Sequence, residues 1–113
     1  MDINTLTNML EKYDPNTTIF GVDLEDYGSE RGSYDRFYIG MNKECSCTTG
    51  GLIAFFKSRV IGQTYEGYKG GDFYMDWDTA ILLATYGSVG EFILDIKKVE
   101  GGIEFYSISA WDV

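Results

Sequence analysis

Two runs near the C-terminus, Glu91–Val99 and Ile103–Ser109, flank Glu100-Gly101-Gly102. Strand-like runs joined by a short glycine turn specify a β-hairpin, because glycine takes the positive φ of such turns without steric cost. No other local feature constrains the chain as strongly, and it commits the C-terminal part to a sheet. Phe73–Met75 and Thr79–Ala84 read as two further strands around a Trp77-Asp78 turn. Upstream, Thr17–Val22 reads as a strand. Tyr34–Met41 reads as another, with Phe37 and Ile39 on one face and Tyr38 on the other. Between these two, Asp23 to Ser33 reads as an acidic, glycine-bearing loop.

Two segments carry helical periodicity. Ile3, Leu6, Met9, Leu10 and Tyr13 recur at spacings of three and four, which puts them on one face of a short amphipathic helix. Asp2 is placed to cap it, and Asp14-Pro15-Asn16 to end it, since the residue before proline avoids the helical region. Thr48-Thr49-Gly50-Gly51 opens a second helix over roughly 50–61. Its apolar face is Leu52, Ile53, Phe55, Phe56, Val60 and Ile61, and Gly62 is its stop. The expected fold is α+β, with two short helices packed on an antiparallel sheet of about five to six strands in the order αββ-αββββ. With 113 residues there is room for one domain. Thr5-Leu6 with Leu10 is echoed by Thr49 with Leu52 and Phe56. A duplicated αββ unit, divided as 1–46 and 47–113, would explain the echo, and so would chance similarity between two capped helices.

Aromatic residues make up 16% of the chain, which points to a packed fold rather than disorder. The formal charge is −9, from 18 acidic and 9 basic residues. Such a field repels nucleic acid and anionic membrane, and it favours basic partners while keeping a small protein soluble. No stretch is long and apolar enough to span a bilayer, and Met1-Asp2-Ile3-Asn4 lacks the regions of a signal peptide. Cys45 and Cys47 are too close to make a good disulfide staple. Together these features predict a cytoplasmic protein that binds neither nucleic acid nor membrane directly.

Histidine is absent from the sequence. That removes the commonest general base and metal ligand, and with them Ser-His-Asp and Cys-His catalysis. Two cysteines cannot fill a four-ligand zinc site alone. Carboxylates cluster twice: Asp23, Glu25, Asp26, Glu30 and Asp35, then Asp72, Asp76 and Asp78. The first cluster lacks the spacing of a calcium loop. In the second, Asp76 and Asp78 share a face if the segment is extended, which allows a carboxylate pair. Gly67-Tyr68-Lys69-Gly70-Gly71 offers amides and a lysine to a phosphate, but it lacks P-loop spacing and Glu66 and Asp72 flank the lysine. Tyr65, Tyr68, Phe73, Tyr74, Trp77 and Tyr86 crowd one region. Not all can be buried in a domain of this size, and exposed tyrosine beside carboxylates makes a good protein-binding surface.

At Arg31-Gly32-Ser33-Tyr34-Asp35 and at Gly67-Tyr68-Lys69-Gly70-Gly71-Asp72-Phe73-Tyr74-Met75 the chain resembles a family of small phage and mobile-element accessory proteins. In that family an Arg-Gly-x-Tyr segment precedes a second helix, which leads into a Gly-Tyr-Lys-Gly-Gly motif. The similarity runs from Leu6 to about Phe92. Glu30 stands where the family has an aromatic residue. The resemblance implies a phage-type accessory gene acting in the host cytoplasm, and it transfers no catalytic residue.

The first expectation is an interaction protein that inhibits a host nucleic-acid-handling defence enzyme, of the CRISPR-effector or restriction type. Its partner-binding residues would be Asp23, Glu25, Asp26, Glu30, Asp35, Tyr68, Asp72, Tyr74, Asp76 and Asp78, with no catalytic residue, metal or cofactor. An alternative is a sponge for a nucleotide signal, using Arg31, Lys69 and the glycine amides for phosphate and Tyr34 or Tyr68 for stacking. A second alternative is a metal-dependent enzyme built on Asp72, Asp76 and Asp78.

Overall fold

The computed structural model describes residues 1–30, 33–66, 71–84 and 90–109; the side chains of residues 30 and 33–35 lie outside that description. The chain runs α1 (Ile3–Leu10), β1 (Thr18–Glu30), β2 (Ser33–Thr48), α2 (Thr49–Phe55), a π-helical turn (Phe56–Val60), β3 (Thr64–Glu66), β4 (Asp72–Tyr74), β5 (Ala80–Ala84), β6 (Glu91–Val99) and β7 (Gly102–Ser109). Five strands close a barrel in the order β1-β2-β5-β6-β7, while β3 and β4 form a separate two-stranded sheet. The α+β class holds. No described helix is long and apolar enough to cross a membrane.

Both helix starts follow their capping residues. The Thr5 N–H donates to the Asp2 carboxylate at 2.7 Å, and the Gly51 N–H donates to the Thr48 hydroxyl at 2.9 Å. The Thr5 hydrogen bond also holds the Asp2 carboxyl below its ordinary pKa. Helix α1 ends at Leu10, short of the expected Tyr13. The Lys12 and Tyr13 amides donate three residues back, to Met9 and Leu10, and the Thr17 N–H returns to the Asp14 carbonyl across Pro15. The second helical segment is also interrupted. The Ile61 N–H reaches back five residues to the Phe56 carbonyl, which widens the last turn.

The expected antiparallel sheet is a mixed one. β2 runs parallel to β5 from Arg36↔Ala80 to Gly40↔Ala84, and β1 runs parallel to β7 from Thr18↔Gly102 to Phe20↔Glu104. The pairs β1/β2, β5/β6 and β6/β7 are antiparallel. Sequence periodicity places strands but does not choose neighbours. A parallel pair needs a long crossover, and α2 with the β3–β4 hairpin supplies it between β2 and β5. The boundary of the possible duplication, 46/47, falls inside β2, and strands from both sides of it pair around the barrel.

Closure has a geometric consequence. Going around the barrel, each antiparallel pairing reverses strand direction and each parallel pairing keeps it. Three reversals and two retentions bring the circuit back pointing the wrong way. Straight strands cannot satisfy this, so the two-stranded ribbons must bend between the stretches that meet different neighbours. The bends have visible sites. Between Phe20↔Ser46 and Val22↔Met41, residues 42–45 of β2 face Gly21 alone. Between Asp23↔Gly40 and Tyr27↔Ile39, residues 24–26 of β1 have no partner. The β6–β7 ribbon carries one smaller irregularity, at Leu94. Bulges bend a strand and increase its twist.

The seam between β1 and β7 depends on Gly102. A Cβ there would collide with the Thr18 carbonyl oxygen. Of the hairpin glycines, only Gly101 has positive φ, at 85°; Gly102 is required for close approach instead. Inside lies one cluster of buried side chains. It draws Ile3, Leu6 and Leu10 from α1, Leu52, Phe55, Phe56 and Val60 from the second helical segment, and Ile19, Phe37, Ile39, Ile81, Ile93 and Ile103 from the barrel.

Candidate protein-binding surface

The first carboxylate cluster sits on the bend of the β1–β2 ribbon. The acidic segment expected as a loop is part of β1 up to Glu30, and its irregular stretch is the bulge at 24–26. The Asp23 carboxylate accepts the Glu25 N–H at 2.9 Å, and the Asn42 side chain accepts the Glu44 N–H at 3.0 Å, so each bulge contains a side-chain-closed turn. The bulge lies tight over β2. A Cβ on Gly40 would come within 2.8 Å of both the Asp23 carbonyl oxygen and the Asp26 Cβ.

These carboxylates have different roles. Asp26 accepts the Tyr38 hydroxyl proton at 3.0 Å, so it ties β1 to β2. Asp23 and Glu25 gather with Glu44 around Cys45. The thiol of Cys45 is pushed above its ordinary pKa by partial burial, then by the charges of Asp23, Glu25 and Glu44. Glu44 therefore belongs to this cluster, although the sequence reading leaves it out. Only the register, which folds residues 42–45 back against Gly21, brings it there. Cys47 is more deeply placed, and burial alone pushes its thiol up to about 11. Both cysteines are free thiols.

The second cluster divides in two. In the β3–β4 hairpin, Tyr65 and Phe73 face inward and Thr64, Glu66, Asp72 and Tyr74 face solvent. The inner face docks on aromatic rings: Tyr65 lies 6.0 Å from Phe37, and Tyr27 meets Phe55 edge-on at 4.9 Å. Burial, with a smaller effect from Tyr27, raises the Tyr65 pKa. On the outer face Glu66 stands directly opposite Asp72, and Thr64 opposite Tyr74. Tyr74 is 63% exposed. Like charges directly opposite each other on a sheet are unfavourable in the free protein. Here they stand beside an exposed aromatic ring.

Asp76 and Asp78 serve a turn instead. The Asp76 carboxylate accepts the Asp78 N–H at 2.9 Å, and the Asp76 N–H donates to the Thr79 hydroxyl at 2.9 Å. This turn feeds β5 and holds the start of α1, since the Ile3 and Asn4 amides donate to the Thr79 and Trp77 carbonyls. β5 begins opposite Arg36 of β2, whereas Asp23 lies opposite Gly40. Four residues of strand, about 13 Å, separate those two levels. Among the described residues no group of three Asp, Glu or Cys side chains is placed to hold a metal ion.

The side chains of Glu30 and Asp35, and all of Tyr68, lie outside the described residues, as do Arg31, Lys69 and most of the Gly67–Gly71 loop on which the nucleotide-sponge reading rests. Among the described residues, three exposed apolar side chains lie outside the surface expected from the sequence: Tyr106, 58% exposed, Leu94, 49%, and Phe20, 39%. The alternation of β7 would have found Tyr106, since Ile103 and Phe105 join the core and Glu104 and Tyr106 do not. Leu94 lies in a bulge, where alternation gives no signal. Compared with known proteins, the chain matches no family model, no curated protein and no solved structure.

Proposed function

We propose that this chain is an accessory protein of phage type that binds a basic surface on a host protein and thereby inhibits it, with a nucleic-acid-handling defence enzyme of the CRISPR-effector or restriction class as the target. It acts in the host cytoplasm and carries out no catalysis. The observation that carries this reading is the outer face of the β3–β4 hairpin, where Glu66 opposes Asp72 beside the exposed ring of Tyr74. A partner's arginine or lysine placed between the two carboxylates would turn an unfavourable pair into a favourable triad, and the tyrosine would add contact area at small entropic cost. The Asp23, Glu25 and Glu44 corner adds to the same negative field, and Asp78 is a further exposed carboxylate. Asp26 and Asp76 contribute chiefly by shaping the surface, because both accept hydrogen bonds within the protein.

Affinity capture from a bacterial host lysate at 50 mM and 500 mM salt tests the proposal. A basic nucleic-acid-handling protein should be retained at low salt and largely lost at high salt, because screening shortens the reach of surface charge from about 14 Å to about 4 Å. Retention of no basic protein at low salt would refute it.

A further inference from the structure

The end of α1 and strand β6 border an open cleft of about 360 Å³ lined by Met9, Lys12, Tyr13, Asp95, Ile96 and Lys98. We infer that this cleft is a binding site for a small aromatic anion, whose charged group sits between the Lys12 and Lys98 ammonium groups and whose ring lies against Tyr13, Met9 and Ile96.

The local charge runs against that of the chain. The protein carries −9 overall, yet the cleft holds two lysines against one carboxylate. The Asp95 carboxylate accepts the Ile96 N–H at 2.8 Å and keeps its charge, so the lining has one positive charge in excess. Three carbonyls at the end of α1 also have donors: Thr7, Met9 and Leu10 accept from Glu11, Lys12 and Tyr13. Lys97, between the cleft residues of β6, pairs across the hairpin with Glu104 at 3.9 Å. Among the described residues, neither Lys12 nor Lys98 has an ion-pair partner. Two lysines from segments 86 residues apart, unpaired among the described residues, thus converge on one concavity. Its other walls are apolar or aromatic, and Tyr13 and Ile96 are anchored by packing on the core. Pockets that bind small molecules combine such apolar walls with a few convergent polar groups. The long-range acidic field does not forbid an anion here, because it is screened beyond about 8 Å at physiological salt.

The test titrates the full chain with 1-naphthyl phosphate, 1-naphthol and inorganic phosphate, following backbone amides by NMR. Saturable shifts at Lys12, Tyr13, Ile96 and Lys98 are expected with 1-naphthyl phosphate, with affinity at least tenfold weaker for either half alone. Lys12→Gln/Lys98→Gln should weaken binding tenfold or more while leaving Tm unchanged, since both side chains are exposed. Each single substitution should give a smaller loss. Glu66→Gln/Asp72→Asn should leave it intact, which separates this site from the acidic face. Absence of shifts at millimolar ligand, shifts centred elsewhere, or binding indifferent to the lysine pair would overturn the inference.

Discussion

The barrel contains two long antiparallel ribbons of opposite character. β6–β7 is nearly regular: eight residue pairs join Glu91–Val99 to Gly102–Ser109 with one irregularity. β1–β2 is longer and broken by bulges on both strands, and it carries Asp23, Glu25 and Glu44 at the bend. The regular ribbon holds one end of the seam through Gly102. The irregular one supplies most of the turning that closure of the barrel demands, and the same turning brings Glu44 beside Asp23 and Glu25. Irregularity here is what gives a small barrel a charged corner.

Breaking the two ribbons at their tight glycines should separate these roles. Gly102→Ala drives a methyl group into the Thr18 carbonyl at the seam. A loss of about 3 kcal/mol in urea unfolding is expected, at the upper end of overpacking costs. Gly40→Ala pushes on the bulge instead, against the Asp23 carbonyl and Asp26. A smaller loss, about 1–2 kcal/mol, is expected, because a bulge can shift without opening the barrel. Equal losses at the two sites would mean that the bulge is as much a part of closure as the seam.

The same contrast explains what the sequence could show. Glu91–Val99 and Ile103–Ser109 were legible as strands because the turn between them has distinctive chemistry. Phe37 and Ile39 were legible as core because Tyr38 between them faces the other way. Asp23 to Ser33 reads as a loop because the bulge at 24–26 breaks the two-residue period on which strand recognition rests. β3 has only three residues and gives no periodic signal. The parallel pairings were illegible for a different reason: they depend on which strands meet at closure, and no local pattern encodes that. For the candidate surface, composition and spacing pointed to Asp72 and Tyr74. The Glu66–Asp72 opposition and the arrival of Glu44 beside Asp23 required the register.

Finer changes sharpen the comparison. Tyr38→Phe removes the one described side-chain hydrogen bond to Asp26, and a loss of about 1 kcal/mol in urea unfolding is expected. Asp2→Ala should also cost about 1 kcal/mol through the lost cap of α1. Its pH dependence has a defined sign. The folded Asp2 carboxyl lies below 3.8, so the stability it contributes is present above that value and is lost as pH falls through the folded pKa. In a series of denaturation curves the difference between wild type and Asp2→Ala should therefore shrink on acidification below pH 4.

The two thiols report on the same acidic corner. The Cys47 pKa rises from 9.0 to about 11 on folding. Its contribution to stability is full below pH 9 and is lost as pH climbs towards 11. Cys45 differs because carboxylates add to its shift. Alkylation of Cys45 should accelerate modestly as salt rises from 50 to 500 mM, and Cys47 should not respond. Mass-spectrometric mapping of the labelled cysteine distinguishes the two. A salt response at Cys47 equal to that at Cys45 would contradict the placement of the acidic corner.

The proposed partner contact centres on the outer face of the β3–β4 hairpin. Its most direct test is retention of host proteins at low salt by wild type, by Glu66→Gln/Asp72→Asn and by Tyr74→Ala, each checked for an unchanged Tm. These side chains are exposed, so folding should survive. The expected result is loss of a basic nucleic-acid-handling protein by at least tenfold with the double variant, and by a smaller factor with Tyr74→Ala. Undiminished capture by both folded variants would contradict the account.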